Sequence, residues 1–249
     1  MDLELSGKVA LVTGSSRGIG WGIAQALHDE GCQVILNARN VDALSRSAHA
    51  LSGHYLAGDV CIPERARQVV DSAYKVAGRI DIVVTNVGSG ASVPPGTESS
   101  EEWNRMLKLN LESAVNIISA AREVLAQSKG VVLCVSSICG LSALGAPIAY
   151  SAAKAALNSY VRGISAVLAK DGVRIVGLAP GNVMFPGSAW ECKLKADADA
   201  VKRMLDTNVP MRRFGTVQEI ANVATFLCSS KASFVTGTVV TVDGGQIRI

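Results

Sequence analysis

The chain has few of the residues that commonly bind metals, and these are dispersed. It contains three histidines and six cysteines in 249 residues, and neither type forms a CxxC pair or a cluster at metal-ligand spacing. The cysteines are Cys32, Cys61, Cys134, Cys139, Cys192 and Cys228. Without a pairing pattern they are expected to be reduced and mostly buried thiols. No metal is predicted.

Long apolar runs and a concentrated basic surface are also lacking. No apolar run approaches the roughly 20 residues that a membrane-crossing helix needs. The first residues, Met1 to Leu5, include acidic side chains where a secretory signal would have basic ones, which favours a cytoplasmic location. The net charge is only +3 and the basic residues are scattered, so neither a membrane nor a nucleic-acid partner is expected.

What the chain does have is an alternation of short apolar runs and longer helical patterns. Strands are predicted at residues 8–13, 33–37, 54–58, 81–85, 130–136, 173–178 and 238–242, and helices include residues 19–30, 63–77, 101–126 and 150–170. Several strands are apolar almost throughout, as strands buried on both faces are. This order predicts an α/β fold of one domain over residues 1–249, with a doubly wound parallel sheet and helices on both faces. In such sheets the ligand binds beyond the carboxyl ends of the strands.

A glycine-rich segment follows the first predicted strand and opens a helix. It reads Thr13-Gly14-Ser15-Ser16-Arg17-Gly18-Ile19-Gly20. Glycines let the backbone turn sharply and approach a pyrophosphate closely, and a helix N-terminus offers free N–H groups to the same anion. A plain tight turn is the alternative for such a loop alone, but its place between strand and helix favours dinucleotide binding.

This segment matches the TGxxxGxG signature of the short-chain dehydrogenase/reductase family at every fixed position, and the chain resembles that family from Lys8 to about Gly245. The resemblance implies a Rossmann-type fold with about seven parallel strands, an oxidoreductase activity and a homotetramer or homodimer. Residues 235–237 and 242–245 match the family's C-terminal strand and turn, which commonly build the subunit interface.

The residues after the second strand indicate which dinucleotide is bound. NAD-binding versions of this architecture have an acidic residue there, whereas Ala38 has no carboxylate. The planar guanidinium of Arg39 suits the 2′-phosphate of NADP, and Arg17 is a second cation where NADP-preferring family members often carry one. Both arginines could instead be solvated surface charges. We predict NADP(H) in preference to NAD(H).

Further cofactor contacts are implied by the resemblance. An Asp-Val pair such as Asp59-Val60 holds the adenine ring in the family, and Asn86 and Gly88 match the family's Asn-Asn-Ala-Gly, from which Thr85 and Val87 depart. The full set of expected cofactor contacts is Gly14, Ser16, Arg17, Gly18, Ile19, Gly20, Arg39, Asp59, Val60, Asn86, Gly88, Tyr150, Lys154, Pro180, Gly181 and Val183.

Tyr150 and Lys154 are the predicted catalytic pair. They are four residues apart in a helical pattern, so their side chains share one face. A free tyrosine has a pKa of about 10, and an adjacent ammonium together with a positively charged oxidised nicotinamide is expected to lower the pKa of Tyr150. The tyrosine would then act as general base in oxidation or general acid in reduction.

Two more residues complete the family's catalytic set. Ser137, preferred to its neighbour Ser136 on spacing to Tyr150, matches the serine that binds the substrate oxygen. Asn110 matches the asparagine that holds a water and relays protons to the lysine. Cys139 lies two residues after Ser137 and is either a target for thiol reagents or a buried, inert thiol.

The segment over residues 184–213 matches the region that covers substrate in the family. Phe185 stands where the family often has a threonine five residues after Pro180. Either a backbone group replaces the threonine's contact or the loop takes another path, and a rim or packing role is the alternative. The apolar residues and lysines of this lid suggest a partly apolar substrate with an acidic handle; the alternative is a plain helical face over residues 189–206, which explains the pattern without any ligand.

These observations predict an NADP(H)-dependent reductase of a ketone or 3-oxoacyl thioester. An alcohol or sugar dehydrogenase acting oxidatively uses the same residues. From another class, a cofactor-binding regulatory protein without catalysis would not need the tyrosine and lysine together. The substrate itself has no motif in the sequence.

Overall fold

The structure is a computed structural model that describes residues 1–247; residues 248 and 249 of the predicted domain lie outside the described residues. The strands are β1 (Val9–Thr13), β2 (Gln33–Ala38), β3 (His54–Ala57), β4 (Ile82–Thr85), β5 (Val131–Val135), β6 (Arg174–Pro180), β7 (Val183–Met184), β8 (Gly215–Thr216) and β9 (Val239–Val242). Seven of them form one parallel sheet in the order β3-β2-β1-β4-β5-β6-β9. The predicted doubly wound sheet is confirmed. Its order reverses between β1 and β4, which is where such sheets bind ligands.

The helices lie on both faces of this sheet. They are α1 (Gly18–Asp29), α2 (Val41–Ala50), α3 (Pro63–Ala77), α4 (Ser100–Leu107), α5 (Ser113–Ser128), α6 (Ile148–Lys170), α7 (Ala189–Ala196), α8 (Ala198–Asn208) and α9 (Val217–Cys228). Of these, α2 and α9 were not among the helices predicted from the sequence. None of the helices within residues 1–247 combines the length and apolar character of a membrane span.

Alternation along β1 divides the core into two layers. Ala10 and Val12 pack with residues of α1, α2 and α9, whereas Val9 and Leu11 pack with residues of α3, α5 and α6. Successive strand side chains point to opposite faces. Both faces are therefore buried, which is why the central strands are apolar throughout.

The helix predicted over residues 101–126 is interrupted. A π-helical turn, Lys108–Glu112, separates α4 from α5 and contains the buried Asn110. The apolar periodicity indicates one continuous helix, and it does not locate this wider turn. Single π-turns inside helices are frequent at functional sites.

The predicted helical face over residues 189–206 is two helices. Asp197 ends α7, and its side chain accepts a hydrogen bond from Ala200 N at 2.8 Å, which caps α8. The segments on either side of these helices are joined, since β7 pairs with β8 through Val183–Gly215 and Met184–Thr216. The lid over residues 184–213 therefore contains two helices, and the pairing of β7 with β8 holds its two ends together.

Candidate active site

The predicted site residues gather at the carboxyl edge of the sheet. The glycine loop follows β1, Asn86 and Gly88 follow β4, and Ser137 follows β5. Pro180 ends β6 and is buried, Gly181 donates its N–H to Val242 O at 3.0 Å, and Val183 is buried at the foot of the lid. Because the strands are parallel, residues distant in sequence meet at one edge.

The three glycines of the loop stand where a side chain would be strained or would clash. Gly14 and Gly18 have φ values of 62° and 59°, in the left-handed region that favours glycine. A Cβ at Gly20 would lie 2.5 Å from Gly14 O. The loop thus leads into the N-terminus of α1 with its backbone free to approach a diphosphate, so these residues fit a dinucleotide.

Asn86 braces this loop. Its Nδ2 donates to Gly14 O at 3.0 Å and to Thr13 O at 3.3 Å, and its backbone N–H donates to Thr13 Oγ1 at 3.1 Å. The side chain expected to contact the cofactor is therefore committed to holding the loop. Thr85, which departs from the family pattern, is buried at the end of β4.

Tyr150, Ser137 and Lys154 come together at the start of α6. The Ser137 hydroxyl lies beside the Tyr150 phenol, where it lowers the pKa of Tyr150, and it accepts the Cys139 N–H at 3.1 Å. The Lys154 ammonium is buried, and its Nζ donates to Val135 O at 2.9 Å. The chain reverses between β5 and α6, which sets the serine beside the tyrosine on the first turn of the helix.

Burial shifts the pKa values of this group toward the neutral forms. It raises the pKa of Tyr150 to about 12, against a smaller lowering by the Ser137 hydrogen bond. It also lowers the pKa of Lys154 to about 8. In the polypeptide by itself, desolvation of the phenolate outweighs its favourable contacts, and a lowered Tyr150 pKa with oxidised nicotinamide bound stays a prediction.

Asn110 is committed to the backbone of the β4–α4 loop. Its Oδ1 accepts the Ser89 N–H at 3.0 Å, and its Nδ2 donates to Ser89 O and Met106 O, both at 3.1 Å. A Cβ at Gly88 would lie 2.7 Å from Asn110 Oδ1 and 3.2 Å from Lys154 Nζ. The asparagine and the lysine therefore adjoin the same glycine, and the water relay stays a prediction.

Ser136 and Asn158 form a second, structural pair beneath the catalytic residues. Ser136 Oγ donates to Asn158 Oδ1 at 2.5 Å, and Asn158 Nδ2 donates to Gly140 O at 3.1 Å. Ser136 is thus engaged away from Tyr150, as the choice of Ser137 assumed. Asn158 was not predicted from the sequence, although it continues the four-residue spacing of Tyr150 and Lys154 on one helix face.

The two arginines expected to bind the 2′-phosphate are both exposed. Arg39 follows β2, and its Nη1 lies 3.9 Å from Asp59 Oδ2. Asp59 Oδ1 also accepts the Cys61 N–H at 3.0 Å, and Val60 O accepts from Asn116 Nδ2 at 3.1 Å. The Asp-Val pair is thus held beside Arg39 at the end of the sheet expected to bind adenosine.

Arg17 contacts the lid. Its Nη1 donates to Gly187 O at 3.5 Å, while Ser16 O accepts from Ser47 Oγ at 3.0 Å. Phe185 is half-buried, with its ring against Gly18. Of the alternatives open for Phe185, the structure shows a packing contact, and the contact is with the glycine loop.

Trp190 of the lid packs with Phe214, the residue directly after the lid, and with one lysine. The rings of Trp190 and Phe214 are 5.4 Å apart, and Lys193 Nζ lies 4.6 Å from the centre of the Trp190 ring. Cys139 is partly exposed next to Ser137. Within residues 1–247, no group of three or more histidine, cysteine, aspartate or glutamate side chains could hold a metal ion.

Comparison with known proteins agrees with this geometry. A family model described as "Enoyl-(Acyl carrier protein) reductase" matches residues 14–246. The chain is 31% identical to a tropinone reductase homolog of Arabidopsis thaliana over 97% of this chain and 93% of that protein. It is 30% identical to a 3-oxoacyl-[acyl-carrier-protein] reductase of Aquifex aeolicus over 99% of this chain and 100% of that protein. The crystal structure of L-sorbose reductase from Gluconobacter frateurii, complexed with NADPH and L-sorbose, has a TM-score of 0.93 at 31% identity and full coverage of both chains.

Proposed function

The chain belongs to the short-chain dehydrogenase/reductase family of oxidoreductases, and we propose that it reduces a ketone or 3-oxoacyl-type carbonyl with NADPH. The observation that carries the proposal is the cluster of Ser137, Tyr150 and Lys154 next to a glycine loop at one sheet edge. Similarity to proteins named as reductases, one of them solved with NADPH, supports the same direction and cofactor.

Tyr150 is the general acid in this proposal. Its raised pKa, about 12, keeps the phenol protonated at neutral pH, so the group can give a proton to a developing alkoxide. Ser137, which lies beside the phenol, orients the substrate oxygen with its hydroxyl and stabilises the charge that forms there. NADPH, when bound, supplies the hydride that the carbonyl carbon accepts.

Lys154 holds the tyrosine's environment electropositive. One of its N–H bonds is committed to Val135 O, and an ammonium has two further donors available for a ribose hydroxyl and the phenol oxygen. The N-terminus of α1 binds the diphosphate through free N–H groups. Arg39 and Arg17 bind the 2′-phosphate as planar, permanently charged donors.

The nearest alternative is an alcohol or sugar dehydrogenase that acts oxidatively. Oxidation would need Tyr150 as a base and reduction would need it as an acid, so the same residues serve both directions. We place reduction first because the similar proteins are named as reductases. Cytoplasmic location and a homotetramer or homodimer belong to the same proposal, and fractionation and light scattering test them.

The direct experiment follows NADPH oxidation against a panel of carbonyls: a 3-oxoacyl thioester, simple ketones, diketones and keto sugars. Wild-type protein should turn over at least one class, and Tyr150→Phe should reduce kcat by roughly 10²-fold or more while still binding NADPH. Faster oxidation of the matching alcohols with NADP would favour the dehydrogenase. Tight NADPH binding without turnover in either direction would favour the regulatory alternative.

A further inference from the structure

Phe185 packs on the glycine loop at Gly18, where the loop enters the N-terminus of α1. A Cβ built on Gly18 would lie 2.6 Å from Phe185 Cε2 and 2.9 Å from Cζ, so the ring rests directly against the glycine. Gly18 is the first residue of α1. Its missing side chain is what allows an anion to approach the N–H groups of a helix N-terminus, and here the ring occupies that approach.

A second contact binds the same stretch of lid to the same loop. Arg17 Nη1 donates to Gly187 O at 3.5 Å, and a Cβ on Gly187 would lie 2.6 Å from that nitrogen. Arg17 is one of the two cations assigned to the 2′-phosphate. While it lies on Gly187, part of its donor capacity is directed to the lid.

The segment that carries these contacts is well held at both ends. Met184 pairs with Thr216 between β7 and β8, and the buried Ser188 accepts the Glu191 N–H at 3.1 Å to cap α7. Between them, Phe185 is half-buried against core residues. Its ring is therefore held over Gly18 by the fold and does not lie there as a loose surface side chain.

We propose that Phe185 gates the cofactor site: its ring covers Gly18 at the N-terminus of α1 and has to move aside before the diphosphate of NADP(H) can bind. The inference rests on the proposed function, since it concerns the same dinucleotide. When only a fraction of molecules has the ring displaced, the apparent affinity and association rate fall by that fraction. A residue without a ring at position 185 would remove this reduction in affinity and association rate.

The test measures NADPH association by stopped-flow fluorescence with the full-length protein. Phe185→Thr and Phe185→Ala are expected to associate roughly tenfold faster than wild type, with a lower Kd. Phe185→Tyr keeps the ring and should remain as slow as wild type. Thermal unfolding of each variant confirms that it is folded.

Phe214→Leu is the matched control. It removes an aromatic ring next to the lid, which packs on Trp190 of the lid, and it should leave the association rate within about twofold of wild type. Equal acceleration by Phe214→Leu, or no acceleration by Phe185→Thr while wild type binds NADPH, would overturn the gate alone. Failure of wild type and every variant to bind NADPH would overturn the proposed function and the gate together. Binding by Phe185→Thr but not by wild type would be the strongest support.

Discussion

At the residue scale, burial shifts the pKa values of Tyr150 and Lys154 in opposite directions, because one is an acid that becomes an anion and the other is a cation. Desolvation penalises the charged form, so it raises the pKa of the phenol to about 12 and lowers the pKa of the ammonium to about 8. The acid is then protonated throughout the physiological range. The cation that stabilises the phenolate is the group that titrates nearest to neutrality.

A pH profile in the reductive direction should report Lys154. Proton donation by Tyr150 leaves a phenolate, which the Lys154 ammonium stabilises, and this cation is lost above a pH of about 8. We expect kcat with saturating NADPH to fall as pH rises through about 8, and Lys154→Met to give low activity without that step. A rate unchanged up to pH 9.5 would contradict the assignment.

The stability contribution of Lys154 has the opposite sign, which separates the two effects. Its pKa is 10.5 in the unfolded reference and about 8 in the fold. Between these values the unfolded state binds more protons, so this group makes folding more favourable as pH rises. A loss of activity between pH 8 and 9.5 is therefore not expected to reflect unfolding caused by this lysine.

Arg39 should control the choice between the two nicotinamide dinucleotides. It is exposed after β2, beside Asp59, and a charge-assisted bond to a phosphate is worth about 1.5–3 kcal/mol. Arg39→Ala is expected to weaken NADPH binding by roughly 10- to 100-fold and to leave NADH binding unchanged. Titration with both cofactors measures this. Arg162→Ala, at an exposed arginine of α6, is the control and should affect neither.

At the element scale, the π-helical turn between α4 and α5 ties a helix to the loop over the site. Asn110 points from this turn and bonds both backbone groups of Ser89, while Arg105 Nη2 donates to Ala91 O at 2.8 Å. A Cβ at Gly90 would lie 3.7 Å from the Tyr150 ring. The loop is thus fastened at successive points where it passes the tyrosine.

Removal of the Asn110 side chain should destabilise the protein. Asn110→Ala leaves buried groups of Ser89 and Met106 without partners, which costs about 1–3 kcal/mol, and urea unfolding should show a lower midpoint. Asn104→Ala, at an exposed asparagine of α4, should change stability by no more than about 0.5 kcal/mol. If the two variants proved equally stable, the bonds to Ser89 would not be holding the loop.

At the scale of the whole molecule, the predicted site residues lie at one edge of the parallel sheet, and two apolar layers on its faces stabilise the fold. Both faces of β1 are covered, by α1, α2 and α9 on one side and by α3, α5 and α6 on the other. A cofactor that spans the edge contacts loops from both halves of the sheet. Its binding should therefore stabilise the entire fold.

Thermal unfolding should show this coupling. NADPH at 100 times its Kd is expected to raise the free energy of unfolding by about 2.7 kcal/mol, which corresponds to an increase in Tm of several degrees for a chain of this size. NADH at the same concentration should give a smaller increase, because it lacks the phosphate that Arg39 and Arg17 would bind. Equal increases with both cofactors would contradict the predicted preference.

The fold and the order of the site residues could be predicted from sequence because their signals are local. Strands buried on both faces are read from continuous apolar runs, and the spacing of Tyr150 and Lys154 is read from helix geometry. The π-turn at Asn110 and the break at Asp197 could not be read in this way. The π-turn and the Asp197 cap are stabilised by particular hydrogen bonds, such as that from Ala200 N to Asp197 Oδ1, which an apolar pattern does not report.

The sequence by itself determined the parallel sheet and the glycine loop, since each depends on neighbours a few residues away, while the resemblance to the family supplied the catalytic candidates. Only the tertiary structure decided that Asn86 braces the loop, that Ser136 pairs with Asn158, and that burial raises the pKa of Tyr150. It also decided that Phe185 lies on Gly18. Contacts between segments separated by tens of residues, and the desolvation they cause, depend on how the whole chain packs.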